Sequence, residues 1–278
     1  MDNFSVDAYT PEQIAKRIEK AGISKSVNDP INVLALAILA GAFIAFGAVF
    51  FTLVTYDIGT MAGGVFRLIG GLAFCLGLIL VVVAGAELFT GNNLIVMAYV
   101  DGQVTFSGLM RNWLLVYIGN FIGALGVLLL IYLSNHWLIG EGGVGEKAIL
   151  IANAKVNLTW MEAFSRGVLC NILVCLAVWL CFAGRSVVDK VVAIIFPITA
   201  FVAMGFEHSV ANMYFIPAGL VAMQDSGLIA SVGHTDLTNL TTSGFLLNNL
   251  LPVTIGNIIG GSVFVALFYW FIYLRSKE

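Results

Sequence analysis

The sequence predicts an all-α membrane protein with six transmembrane helices in a 3+3 inverted repeat, in which helices 2 and 5 are interrupted. The first observation is composition: 60% of the 278 residues are hydrophobic and 10% are charged, whereas a soluble domain carries about 25% charged residues. The second is a set of six long apolar stretches, and the third is a polar motif that recurs inside two of them. The net charge of −3 gives no basic surface. The composition therefore excludes a soluble enzyme, a disordered chain and a nucleic-acid-binding protein.

Residues 1–30 are polar and are predicted to form a cytoplasmic N-terminal segment. They contain no apolar stretch of the signal-peptide type, so we expect no cleavage. Thr10, Pro11 and Gln13 mark a helix start, with a threonine N-cap, proline at the first helical position and glutamine three residues after the cap. The short amphipathic helix that follows is either a plain surface helix or a segment at the membrane that covers a pore mouth.

Six apolar stretches of about 20 residues or more follow, which is the length that spans a bilayer. They lie at 31–55, 65–98, 112–134, 160–182, 191–223 and 246–274. Together they define a six-helix transmembrane domain, 31–274, followed by a cytoplasmic tail, 275–278. With the N-terminus inside, nine of the 13 Lys and Arg residues lie in cytoplasmic segments, so the positive-inside rule predicts that both termini are cytoplasmic.

The second and fifth stretches are too long for one crossing. At 34 and 33 residues, each would form a helix of about 50 Å against a hydrocarbon core of about 30 Å. Polar segments at 85–93 and 205–212 interrupt them, and each contains a carboxylate, Glu87 or Glu207. Ionisable groups at this depth are costly and are functional candidates. Non-helical backbone is tolerated there only where it lines a cavity or is buried in protein.

The two interruptions repeat each other. Gly85-x-Glu87 with Asn92 matches Gly205-x-Glu207 with Asn212 at an offset of 120, and the run 118–123 reads like 255–260 at an offset of 137. Because the repeat unit has three spans, the second copy is expected to be inverted in the membrane. The half-helix N-termini then meet near the midplane, which suits an anion. We interpret the repeated residues Glu87, Asn92, Glu207 and Asn212 as supports for the broken backbone.

No catalytic, metal or nucleotide motif accompanies these stretches. The four cysteines, Cys75, Cys170, Cys175 and Cys181, lie in apolar runs without metal-site spacing, as expected of buried hydrophobes. Because HExxH and GxSxG are absent, no enzyme is predicted. Without Asn-Pro-Ala motifs, a channel of the aquaporin type for neutral solutes is not expected. We predict no cofactor and no metal, and both a passive channel and a proton-coupled symporter remain open.

Four motifs carry a resemblance to a known family. They are Gly85–Thr90, Leu169–Ala177, Gly205–Met213 and Pro252–Asn257. With them, the chain resembles the formate/nitrite transporter family over essentially its whole length. It is most similar to the formate channels, through Gly-Phe-Glu-His-Ser at 205–209 and the aromatic ending at 269–274. Gly91 after Thr90 departs from formate channels that have serine there, which leaves the substrate open.

The resemblance implies an aquaporin-like subunit of a homopentamer in the bacterial cytoplasmic (inner) membrane, with one pore per protomer. It implies transport of a small monovalent anion, formate first, with nitrite, hydrosulfide or proton-coupled symport of a short monocarboxylate as alternatives. It also implies a mobile segment around Thr90, and a polar pathway formed by Thr90, Asn171, His208 and Lys155. The implied pore constrictions are Phe74, Leu78, Leu88, Phe89, Val174 and Phe201.

The chemistry of anion passage gives these residues roles. Desolvating an ion ideally costs of order 20 kcal/mol, with several kcal/mol left after relaxation. The anion therefore needs either a nearby positive charge or a proton. His208, whose unperturbed pKa is about 6.5, could become protonated as the anion approaches and share that proton. Thr90 and Asn171 would supply hydrogen bonds, and Lys155 would raise the local anion concentration at the outer mouth.

Overall fold

The computed structural model describes residues 8–57 and 62–275, and none of these residues forms a strand. The first seven residues of the predicted N-terminal segment and the last three of the predicted tail lie outside the described residues. The first half of the chain forms five α-helices among its described residues: α1 (Pro11–Val27), α2 (Pro30–Val54), α3 (Gly63–Ala84), α4 (Val96–Val100) and α5 (Phe106–Leu133). They are followed by α6 (Gly143–Val156), α7 (Trp160–Ala183), α8 (Val187–Ala203), α9 (Ser209–Ala222), α10 (Ser226–Ser231) and α11 (Gly244–Tyr273).

Five of these helices are long and apolar enough to cross a membrane: α2, α3, α5, α7 and α11. The predicted class, an all-helical membrane protein, is therefore confirmed. The predicted fifth stretch, 191–223, is covered by α8 and α9, which have 17 and 14 residues. Helix α11 contains two turns of π-helix, at Gly244–Leu250 and Ser262–Leu267.

Glycine in the left-handed conformation ends both α3 and α8. Gly85 has φ +81° and Gly205 has φ +72°, a region that residues with a Cβ rarely adopt. In the first half the amides of Gly85 and Ala86 donate to Val81 O, and in the second Phe206 N donates to Phe201 O. These bonds satisfy one of the carbonyls that the end of each helix leaves free, and the glycine then turns the chain away from the helical path.

Glycines also allow the long helices to pack backbone to backbone. A Cβ at Gly123 of α5 would collide with the carbonyl of Ile38 in α2, and a Cβ at Gly260 of α11 would collide with the carbonyl of Val168 in α7. Small residues at four-residue spacing bring helices close in a membrane. The spacing Gly119-x3-Gly123 therefore packs α5 on α2 as Gly256-x3-Gly260 packs α11 on α7.

Helix α1 lies across the end of the bundle where α2 and α5 begin. Its predicted start is confirmed, because Thr10 and Gln13 form a complete capping box. The apolar face, with Ile14 and Ile18, is buried against the segment that follows the first break. At the helix end, Arg111 of α5 donates to the carbonyls of Ser26 and Asn28. Helix α6 packs in the same way against α9 at the opposite end of the bundle.

Candidate functional site

The segments after the two breaks meet at one contact. Thr90 Oγ1 lies 3.0 Å from His208 Nε2, and both side chains are buried. Thr90 directly precedes a 3-10 turn, Gly91–Ile95, and His208 directly precedes α9. The structure therefore brings together two residues that the sequence analysis placed on one pathway.

His208 is the N-cap of α9. Its Nδ1 accepts a hydrogen bond from Ala211 N at 3.1 Å, which satisfies one of the amides that a helix start leaves free. A nitrogen that accepts a hydrogen bond carries no proton, so the ring described here is neutral and its N–H is on Nε2. The imidazole therefore donates to Thr90 Oγ1, and the threonine hydroxyl hydrogen is left to donate elsewhere.

Asn171 of α7 holds the backbone beside this contact. Its Nδ2 lies 3.2 Å from Thr90 O, 2.8 Å from Asn93 Oδ1 and 2.7 Å from Asn257 O. Its Oδ1 is buried without a hydrogen-bond partner among the described residues. The amide thus fixes the position of Thr90 and leaves one acceptor unused.

At the first break, Glu87 forms an ion pair with a lysine and accepts a hydrogen bond from an asparagine amide. Lys25 Nζ lies 2.7 Å from Glu87 Oε1, and Asn92 Nδ2 donates to Glu87 Oε2 at 2.6 Å. Asn92 Nδ2 also donates to Asn112 Oδ1 at 2.9 Å, and Asn112 Nδ2 donates to Lys25 O at 3.1 Å. The carboxylate is buried, and its charge is compensated by a cation from α1.

At the second break, the same pattern surrounds Glu207. Lys155 Nζ lies 2.8 Å from Glu207 Oε1, and Asn212 Nδ2 donates to Glu207 Oε2 at 2.6 Å. Asn212 Nδ2 also donates to Asn249 Oδ1 at 2.7 Å, and Asn249 Nδ2 donates to Lys155 O at 2.9 Å. Lys155, which is predicted at the outer mouth, thus supplies the cation of a buried pair.

The two clusters differ in a few contacts. Asn249 Nδ2 also donates to Glu207 Oε2 at 3.2 Å, whereas in the part of the chain that the structure describes Asn112 makes no such bond to Glu87. Lys25 also donates to Asn92 Oδ1 at 3.0 Å, whereas Asn212 Oδ1 has no partner among the described residues. The ammonium of Lys155 instead lies 5.3 Å from the centre of the Phe215 ring, within range of a cation–π contact.

Two further asparagines hold the broken backbone. Asn120 accepts from Phe89 N at 2.9 Å and donates to the carbonyls of Ala37 and Glu87. Asn257 accepts from Ser209 N at 2.9 Å and donates to the carbonyls of Gly167 and Glu207. Groups freed by each break are paired in this way, as burial demands.

Lys25, Asn112 and Asn249 are site residues that are not predicted from the sequence. A signal was present, because Asn112 and Asn249 share the 137-residue offset of the repeated run. Lys25 lies outside the predicted transmembrane domain, and its partner is 62 residues away. Its role is therefore visible only once α1 is folded against the break.

The six predicted constriction residues are all buried. A row of rings leads from Lys155 to the centre: Phe215 stacks on Phe74 at 6.3 Å, and Phe74 meets Phe201 edge-on at 5.7 Å. Phe201 in turn stacks on the His208 ring at 5.9 Å. On the other side, Phe89 packs on Tyr117 at 4.9 Å. Leu78 and Leu88 line a cavity described next, and Val174 is part of the core.

Two cavities lie on opposite sides of the Thr90–His208 contact. A cavity of about 510 Å³ beneath α1 reaches Leu78 and Leu88, and the charged residues in its wall are Arg17, Lys25, Lys190 and Glu87. A second cavity of about 370 Å³ lies at the other end of the bundle, beside Gly205 and Phe206. Each cavity is lined by the glycine that ends a broken helix.

Long apolar helices, two breaks with buried polar groups, and a cavity on each side define a multi-pass membrane protein of the transport class. A family model described as Formate/nitrite transporter matches residues 12–271. The chain belongs to the formate/nitrite transporter family, which confirms the resemblance noted from its motifs. This is a family of transporters, so the prediction that the chain is not an enzyme is confirmed as well.

Known proteins of similar sequence and fold carry related names. The chain is 44% identical to the formate channel FocA of Escherichia coli K12 over 276 residues, which cover 98% of this chain and 97% of FocA. A solved structure described as a pentameric formate channel with formate bound matches with a TM-score of 0.82 and 42% identity, covering 88% of this chain and 98% of the other. An FNT family ion channel matches with a TM-score of 0.77 and 29% identity, covering 93% and 98%.

Proposed function

We propose that this protein is a homopentameric channel for small monovalent anions, with formate as the first candidate substrate. It would lie in the bacterial cytoplasmic membrane with both termini in the cytoplasm. The observation that carries the proposal is the buried Thr90–His208 contact between the two break segments, with a cavity on either side. The similarity to formate channels supports formate, while nitrite, hydrosulfide and proton-coupled symport stay as alternatives.

The matched hydrogen-bond networks support a 3+3 inverted repeat with α3 and α8 as the interrupted helices. Glu87 and Glu207 each receive a lysine and an asparagine. The lysines come from α1 and α6, the two short helices at opposite ends of the bundle. In this arrangement each repeat contributes one short helix that lies at one mouth of the pathway. Helix α1 has this position in the first repeat, and α6 has it in the second.

In the proposed mechanism, a positive mouth collects the anion before the apolar region. The cavity beneath α1 has three cations, Arg17, Lys25 and Lys190, against one carboxylate, Glu87. Beyond Leu78 and Leu88, the anion needs hydrogen-bond donors in place of water. The Thr90 hydroxyl can supply one donor at the narrow centre, and the His208 Nε2–H can supply a second when the anion displaces its contact with Thr90 Oγ1.

Protonation of His208, as the sequence analysis proposes, is coupled to the start of α9. A proton on Nδ1 would displace the hydrogen bond from Ala211 N, and loss of an N-cap costs about 1 kcal/mol. An anion at Nε2 would offset this cost by its attraction to the imidazolium. The Nε2 proton could then be shared with a carboxylate oxygen, which lets the substrate pass with little net charge.

The test is flux into proteoliposomes, with formate, nitrite and hydrosulfide compared at two pH values. Formate flux well above that of protein-free vesicles is expected, with a rate that changes with pH. Sulfate, which is doubly charged, should not pass. Equal rates for formate and sulfate would refute the assignment.

A further inference from the structure

We infer that Arg67 and Arg166 form an anion-collecting site at the mouth opposite α1. In this proposal the anion is attracted by these two arginines and not by Lys155. The inference rests on the proposed function, since it concerns how the same pathway recruits its anion. Both arginines line the cavity beside Gly205 and Phe206. The site would take small oxyanions, which guanidinium groups bind with paired N–H donors.

The position of this cavity follows from the course of the chain. Helix α2 starts beside α1 and spans 25 residues, so it ends about 37 Å away, and α3 begins at that far end with Arg67 in its first turns. Helix α7 starts there too, directly after α6, with Arg166 in its second turn. The cavity is therefore at the mouth remote from α1.

At this mouth, the arginines are better placed than Lys155 to attract an anion, because their charge is less compensated. The ammonium of Lys155 is 2.8 Å from Glu207, and its side chain is only 15% exposed, so the pair contributes little net charge. In the described ranges, neither arginine has a carboxylate oxygen within 4.0 Å. Glu162, one turn before Arg166, is a solvent-exposed carboxylate that attracts Arg166, but its Oε2 accepts hydrogen bonds from Thr159.

Arg67 is held in place and still has donors to spare. One guanidinium N–H donates to Ala203 O at the end of α8, at 3.3 Å, and a guanidinium has five N–H groups. Lys147 of α6 lies 4.8 Å from the ring of Phe66, another residue of the cavity wall. Burial lowers the pKa of Lys147. The two guanidinium groups stay charged at any pH of the experiment, since arginine is not deprotonated in proteins.

The first test is sided uptake of labelled formate by the full chain. Spheroplasts and inverted membrane vesicles expose opposite faces, and the host should lack its own formate channels. For Arg67→Gln/Arg166→Gln, initial uptake from one face is expected to fall about threefold at ~0.01 M ionic strength, and to match the wild type at ~1 M, where the Debye length is about 3 Å. Lys20→Gln, a charge removal on the exposed side of α1, is the matched control and should not change uptake from that face.

The second test measures anion binding at the two arginines directly and does not depend on transport. Phenylglyoxal modifies accessible arginines, and mass spectrometry reports each site. Sulfate at low ionic strength should slow the modification of Arg67 and Arg166 about threefold or more, and should not slow that of Arg111, which lies on the α1 side. Unchanged uptake in the double variant, an equal fall from both faces, or equal protection of all three arginines would overturn the site. A wild type without formate uptake would refute the proposed function instead, and the protection experiment would then decide alone.

Discussion

Lys25 and Lys155 contact Glu87 and Glu207 at 2.7 and 2.8 Å, so each break in the bundle is closed by one lysine–glutamate pair. The lysines come from α1 and α6, which lie outside the five long apolar helices. A helix at each mouth is thereby tied by an ion pair to non-helical backbone deep in the protein. This arrangement makes the lysines part of the scaffold of the pathway.

Removing one lysine is expected to destabilise the protein more than removing both charges. Breaking a buried pair leaves an unpaired charge and costs about 3–5 kcal/mol, so Lys155→Ala should lower the melting temperature markedly in detergent. Lys25→Ala should have a smaller effect, because the Lys25 side chain is 29% exposed. Lys155→Met/Glu207→Gln should recover much of the loss. If Lys155→Ala melts like the exposed control Lys20→Ala, the pair has no structural role.

Two substitutions of His208 separate its titration from its role as a helix cap. Asparagine is a good N-cap but does not titrate. Phenylalanine can neither cap the helix nor titrate. We expect His208→Asn to fold with near-wild-type stability and to lose the pH response of formate flux. His208→Phe should lose the pH response and about 1 kcal/mol of stability. A pH response preserved in His208→Asn would contradict the protonation mechanism.

Close packing of α5 on α2 requires glycine at position 123 but not at position 126, one turn further along α5. In Gly123→Ala, the new methyl group would meet the Ile38 carbonyl, whereas at Gly126 nothing lies within 4 Å. Overpacking of this kind costs about 1–3 kcal/mol. Gly123→Ala should therefore reduce the yield of folded protein and its melting temperature, measured side by side with Gly126→Ala. Equal behaviour of the two variants would argue against backbone contact at this crossing.

The sequence predicts the long helices well because apolar length decides them. The stretch 160–182 agrees with α7, and 31–55 agrees with α2. The third stretch, 112–134, starts six residues after α5 does, because Thr105 caps a helix start at Phe106 that lies before Arg111, the charge that directly precedes the predicted stretch. Helix α6 was not predicted, because its sequence mixes glycine and charge, and packing against α9 decides its structure.

The site residues likewise fall into those that a local sequence motif predicts and those that only the tertiary structure brings together. Thr90 and His208 are recognisable by motif, whereas the pairing of Lys25 with Glu87 depends on how α1 folds over the first break. Side chains that act across such sequence distances leave no local pattern. The offset between Asn112 and Asn249 is the exception, because both belong to repeated helices.

Glu19 gives α1 a dependence on pH. Burial, followed by a hydrogen bond and repulsion from Asp101, raises the pKa of Glu19 to about 7, against the opposing effect of Lys16. Asp101 also accepts from Trp270 Nε1 at 2.8 Å. Without a proton, Glu19 Oε1 is buried and has no hydrogen-bond partner among the described residues. The contact between the two carboxyl groups is thus favourable only while one proton is shared between them.

The sign of the effect follows from this raised pKa. A glutamate released from the contact would return to its ordinary pKa near 4.5, so the docked helix binds the proton more tightly than the released one. Docking of α1 should therefore weaken as the pH rises from about 4.5 to about 7, and stay constant above that range. A spin label at position 20, on the exposed side of α1, should report greater mobility at pH 8 than at pH 5. Glu19→Gln should remove the difference, and Glu12→Gln, an exposed carboxylate on the same helix, should keep it. Equal mobility at both pH values in the wild type would show that the carboxyl pair does not control α1.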